Sequence, residues 1–186
     1  MDYIAITNCS WWKYLQVKSI VERVNFWSTT TRPWAKKLHG GTIVFLCKDS
    51  RKVVGWGTYA EAQCETVERA WEVYGQHNGA GSLKQVLDLL NQSGHLKGKP
   101  LTAATEIGCN LITNVTWVTT PFDPQERGVE IARHTQRGRT LSPKEKENLL
   151  APNRSQIPVL ADSEKGGITR KRQANRRPRT TDDDIV

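Results

Sequence analysis

The run Thr42-Ile43-Val44-Phe45-Leu46-Cys47 limits what this chain can fold into more than any other stretch. It is apolar without alternation, so it predicts a strand covered on both faces. The polar segment Lys48-Asp49-Ser50-Arg51-Lys52 reads as a turn, and Val53 to Ala62 then returns as the antiparallel partner of a hairpin. Within that partner Gly55 and Gly57 flank Trp56. They admit two readings: a barrel corner with Trp56 packed in the core, or a close approach by a ligand.

The remaining elements follow from periodicity and punctuation. Tyr3 to Thr7 alternates and predicts a first strand, after which Asn8-Cys9-Ser10 supplies turn and cap residues for a short helix opening at Trp11. Val17 to Val24 fits either helix or strand. Pro33 suits the first turn of a short helix towards His39, ended by Gly40-Gly41. Thr66 caps a helix with Val67, Ala70, Trp71 and Tyr74 on one face, and Gly75 closes it. After a tight glycine-rich connection, Ser82 and Gln85 form a capping-box pattern ahead of Leu83, Val86, Leu87 and Leu90. Residues 94–100 read as loop and Ile107 to Val118 as a last long strand. Ser142-Pro143-Lys144-Glu145 opens a final helix with cap, N1 proline and N3 glutamate in place. The pattern is α+β, in one domain over residues 1–150. Residues 151–186 carry few apolar side chains and no lasting period, so they read as a basic, disordered tail.

Charge and side-chain inventory narrow the function. A net charge of +8 favours a polyanionic partner, nucleic acid before an acidic membrane. Seven tryptophans against three phenylalanines suit stacking surfaces. Cys9, Cys47, Cys64 and Cys109 are widely spaced without a Cys-x-x-Cys pair, and are expected to be reduced, mostly buried thiols. With no basic-then-apolar start and no run of membrane-spanning length, the expected location is the cytoplasm. His39, His77, His95 and His134 are scattered without metal-ligand spacing, and no nucleophile-elbow, phosphate-loop or zinc-protease motif occurs. The expectation is a binding protein with no catalytic residue, metal or cofactor.

The stretch from Asn25 to Leu38 concentrates Trp27, Trp34, small hydroxyls and basic residues just before the apolar run. It reads either as a hydroxyl-rich loop whose tryptophans pack on the core, or as a pocket wall where an indole stacks on a planar ligand.

Residues 1 to about 150 resemble the N-terminal domain found ahead of HNH nuclease domains in bacterial restriction-type proteins, a branch related to the EVE and YTH domains of the PUA-like superfamily. The resemblance is carried by Val24-Asn25-Phe26-Trp27, by Val54-Gly55-Trp56-Gly57, by Ile107-Gly108-Cys109, and most specifically by Ala70-Trp71-Glu72-Val73-Tyr74-Gly75-Gln76-His77-Asn78-Gly79-Ala80. Separately, Phe26-Trp27-Ser28-Thr29 with Lys36-Lys37-Leu38 is similar to the opening of a YTH pocket, where the matching tryptophan lines an aromatic cage.

The resemblance implies a small mixed β-barrel flanked by helices, with a pocket that takes a flipped, modified base. Trp27 would be the stacking residue, with Asn25, Ser28 and Thr29 at the base edge and Trp34, Trp56, Trp71 and Asn78 as further site residues. Arg133, Arg137 and Arg139 are candidate phosphate contacts. The chain departs from the family at Gly138-Arg139-Thr140-Leu141, where members tend to carry a tyrosine, and nothing after Leu150 has HNH spacing. The expected function is therefore a reader of modified DNA in restriction or defence, free-standing, partnered with a separate nuclease, or a remnant of a longer protein. The alternatives are a phosphorothioate-DNA-binding domain, which would depend more on the arginine segment, and an RNA-directed PUA-like protein or modification enzyme.

Overall fold

The hairpin forms as the apolar pattern dictates. In the computed structural model, which describes residues 1–29, 31, 36–92 and 99–151, β3 (Thr42–Cys47) runs antiparallel to β4 (Val53–Thr66). Every residue of β3 from Ile43 to Cys47 is buried. The reason is alternation between two cores: Ile43, Phe45 and Cys47 enter one apolar cluster, while Val44 and Leu46 enter another. Neither face of the strand meets water, so no polar position interrupts the run.

β4 outlasts its expected end at Ala62 and leads directly into helix α2 (Val67–Tyr74). It pairs along most of its length with β5 (Glu106–Phe122), through three register shifts that bend the two long strands. β1 (Asp2–Thr7) lies parallel to β3. Two strands were not foreseen. β2 (Arg23–Ser28) pairs antiparallel with β5, so the tryptophan-bearing stretch begins as a strand instead of a loop. The ambiguous segment before it divides: helix α1 (Cys9–Val17) ends, Ser19 turns the chain at a φ of 54°, and β2 starts at Arg23. β6 (Gly138–Leu141) pairs antiparallel with β1. The result is a single mixed six-stranded sheet in the order β2-β5-β4-β3-β1-β6.

Three apolar layers stabilise it. The first packs α1 onto the sheet around an aromatic group in which Trp11 meets Phe26 and Phe45 edge-on, each with centroids 5.4 Å apart. The second sets α2 and α3 (Leu83–Gln92) over Ile107, Cys109 and Leu111. The third, beneath α4 (Pro143–Leu150), joins Ile4, Val44, Leu46, Val53, Leu141 and Leu149. Trp56 packs against this third layer. A Cβ at Gly55 would lie 2.7 Å from the Trp117 ring, and one at Gly57 would lie 2.6 Å from the Ile112 side chain. The glycines thus admit side chains of β5, which is the packing reading of that stretch.

The caps of α2 and α4 are as the sequence predicts. Thr66 Oγ1 accepts from the Arg69 amide at 3.1 Å, and Ser142 with Glu145 completes a reciprocal capping box, each worth about 1 kcal/mol. At α3 the Gln85 amide reaches Ser82 Oγ at 3.3 Å, but Gln85 Oε1 takes the amide of Gly81 instead of that of Ser82. The tail, residues 152–186, lies outside the described residues, as do Pro33 and most of the expected loop at 94–100. No helix among the described residues is long and apolar enough to cross a membrane.

The expectation of four reduced thiols is corrected. Cys9 and Cys47 form a disulfide, with their Cα atoms 5.2 Å apart. Parallel pairing sets Thr7 beside Cys47, and α1 starts two residues later, so its first turn arrives at the end of β3. Cys109 is a buried thiol and Cys64 an exposed one.

Candidate nucleic-acid interface

The site is built on β2. Val24 and Phe26 enter the first layer, and Trp27 packs against both the first and the second. Asn25 lies between them with no solvent exposure at all, an unusual place for an amide unless its polar atoms are satisfied. Its Nδ2 donates to Asn78 Oδ1 at 2.9 Å. Asn78, equally buried, donates from its own Nδ2 to the carbonyls of Ala70 at 3.0 Å and Gly75 at 2.9 Å. The backbone carbonyl of the same residue accepts the Trp27 indole N–H at 3.2 Å. One asparagine therefore ties the end of α2 to two side chains of β2.

Local geometry explains why Asn78 is available. Gly75 and Gly79, both at positive φ, bracket the single 3-10 turn Gly75–Asn78. A Cβ on Gly79 would collide with the Trp11 ring at 2.2 Å, so only glycine lets this turn seat against the first layer. His77 Nδ1 lies 2.6 Å from the Arg23 carbonyl, a further link to β2. The stretch 70–80 is thus the clamp that positions the tryptophan strand.

With its N–H engaged, Trp27 is half-buried, packed against two layers and partly open to solvent. Ser28 and Thr29 follow directly and are also half-buried, and Trp71 borders the same second layer. Asn25 and Asn78 face inward and hold Trp27 in place of presenting an edge to solvent. Trp56 sits against the third layer and is not brought to Trp27. Trp34 lies outside the described residues.

Two residues escaped sequence reasoning because β4 was expected to stop at Ala62. Gln63 faces Cys109, which in turn faces Trp27, and its Nε2 donates to the Tyr74 hydroxyl. Cys64 is exposed and its thiol donates to the Thr31 carbonyl at 2.7 Å, where the chain leaves β2. Cys109, by contrast, is pushed up to about 11 by burial, so it stays a neutral thiol beside Asn25.

The three arginines separate. Arg133 and Arg137 are exposed in the loop before β6. Arg139 instead binds Glu145 through both terminal nitrogens, at 2.6 and 3.2 Å, and reaches the Glu130 carbonyl at 2.7 Å. Hydrogen bonding from Arg139, with that of the Ser142 amide, holds the Glu145 carboxyl at about 2. β6, which carries Arg139, and β2, which carries Trp27, are the two ends of the sheet order. No cluster of metal-binding side chains is found among the described residues.

No protein-family model matches the chain, and a search of curated proteins also returns no match. Solved structures do match. The crystal structure of ASCH from Zymomonas mobilis superposes with a TM-score of 0.55 at 14% identity, covering 80% of this chain and 92% of that one. A mutant of the same protein gives the same score and identity over 95% of its length. The chain shares the fold of these structures. At this identity the likeness concerns the fold alone, the mixed sheet with its flanking helices.

Proposed function

We propose that this PUA-like domain binds nucleic acid and reads a modified base in DNA, with Trp27 as the stacking surface. The observation that carries the reading is the Trp27 indole itself, fixed through its N–H to the Asn78 carbonyl and followed by the hydroxyls of Ser28 and Thr29. A ring held this way needs little ordering when a planar ligand arrives, and preorganisation of that kind favours binding. The +8 charge and the PUA-like likeness to ASCH support a nucleic-acid partner.

Extruding a base costs a few kcal/mol, which stacking on an aromatic side chain, worth roughly 1–3 kcal/mol, helps to offset. A methyl carbon buried in the pocket adds about 0.8 kcal/mol, sufficient for modest discrimination. In this reading the protein is a reader, and any strand cleavage belongs to a separate nuclease.

Comparing wild type with Trp27→Ala on matched modified and unmodified duplexes tests the assignment. Loss of the preference, with weak salt-sensitive binding retained, is expected. Persistence of the preference in a variant with a cooperative melting transition would remove Trp27 from the pocket.

A further inference from the structure

Arg51 closes the β3–β4 turn with a φ of 56°, a conformation that residues other than glycine seldom adopt. Its side chain accounts for the persistence of that geometry. Nη2 donates to the Ala132 carbonyl at 3.0 Å and Nη1 to the Thr135 carbonyl at 3.3 Å, 81 and 84 residues away in sequence. Two backbone bonds tie each segment separately to the end of β1: the Ile6 amide to the Arg137 carbonyl at 3.2 Å, and the Lys48 amide to the Thr7 carbonyl at 2.9 Å. The turn at 48–52 and the loop at 132–137 are therefore held together.

Joined, these segments carry Lys48, Arg51, Lys52, Arg133 and Arg137 against a single carboxylate, Asp49. Lys48, Lys52, Arg133 and Arg137 are exposed, and among the described residues none of the four takes part in an ion pair. Arg139, two residues further on, is neutralised by Glu145 and does not belong to this group. Gathering like charges on one surface is unfavourable in isolation and becomes favourable against a polyanion, where neutralised phosphates release counterions. With its guanidinium directed at two carbonyls, Arg51 organises the surface while its four neighbours supply the exposed charge.

We propose that the β3–β4 turn and the 132–137 loop form one phosphate-backbone contact surface for duplex DNA, with Arg51 as its positioning residue. The proposal rests on the nucleic-acid part of the functional reading but not on modified-base selectivity at Trp27. Each lost phosphate contact lowers the slope of log affinity against log salt by about 0.9, so Lys48→Gln with Lys52→Gln should lower it by about 2, and Arg133→Gln with Arg137→Gln by about 2.

The test is a salt series on the full chain with an unmodified DNA duplex. Lys84→Gln, at a position paired with Asp88 on α3, serves as a control expected to leave the slope unchanged. Arg51→Met should weaken binding and shrink the further effect of the Arg133 and Arg137 pair, because the loop they occupy is released. If Arg51→Met does not fold, the two glutamine pairs carry the test. Unchanged slopes in both pairs would overturn the surface, as would a wild-type protein without salt-dependent duplex binding. Reduced slopes with no preference for a modified duplex would uphold the surface while defeating the Trp27 reading alone.

Discussion

Asn25 donates its side-chain amide to the side-chain carbonyl of Asn78 across 2.9 Å, and neither residue exposes any surface to solvent. The bond joins β2 to the turn after α2, 53 residues later. Since the Asn78 carbonyl also holds the Trp27 indole, the packing of helix onto strand and the orientation of the candidate stacking residue depend on one side chain and its backbone.

Asn78→Ala should therefore be the more damaging of the two substitutions. It leaves the Asn25 amide and the carbonyls of Ala70 and Gly75 without that partner, and the expected loss is about 3 kcal/mol or more. Asn25→Ala should cost about 1–2 kcal/mol, because Asn25 Oδ1 has no hydrogen-bond partner among the described residues to begin with. Denaturant unfolding of both single variants and the double variant checks this, with a coupling of about 1 kcal/mol or more expected between neighbours in one network.

The disulfide gives a second expectation. Cys9 and Cys47 close a loop with a sequence separation of 38. The chain-entropy relation assigns such a closure about 4 kcal/mol, the upper part of the usual range. Cys9→Ser with Cys47→Ser should lower the melting temperature, and reductant should lower that of the wild type but not of the variant. In native, unreduced protein an alkylating reagent should label Cys64, which is exposed, and spare Cys109, whose buried thiol is pushed up to about 11.

A third concerns acid. The Glu145 carboxyl, held at about 2 by Arg139, lies below its ordinary range when folded. A depressed folded pKa stabilises the native state above the unfolded pKa, and that stability is lost as pH falls from about 4.3 towards 2. Discounted for the partial exposure of both side chains, the pair is worth on the order of 1–2 kcal/mol. Glu145→Gln should therefore destabilise at neutral pH, and its melting curve should converge with that of the wild type near the acid limit.

What the sequence disclosed and what it concealed divide along physical lines. Thr42–Cys47, the Thr66 cap and the Ser142–Glu145 box are local signals, and each appears where expected. β2 was obscured because Asn25 looks polar in isolation and is paid for only by a partner far along the chain. β6 is four residues long and contains a glycine and an arginine, so only pairing with β1 makes it a strand. The Cys9–Cys47 bridge depends on parallel registry between β1 and β3, which no local pattern encodes. The family resemblance pointed to Trp27, where its neighbourhood alone left core packing and pocket wall open, and the clamp that fixes it required the fold.

The measurement that bears most directly on the central claim is a binding titration of the wild-type chain at two salt concentrations. Matched duplexes would be unmodified, base-methylated, hydroxymethylated or phosphorothioated, with an RNA of the same sequence alongside. The account predicts a preference for one base-modified duplex that persists at the higher salt, where backbone contacts weaken. Equal affinity for all the duplexes, falling together with salt, would contradict it.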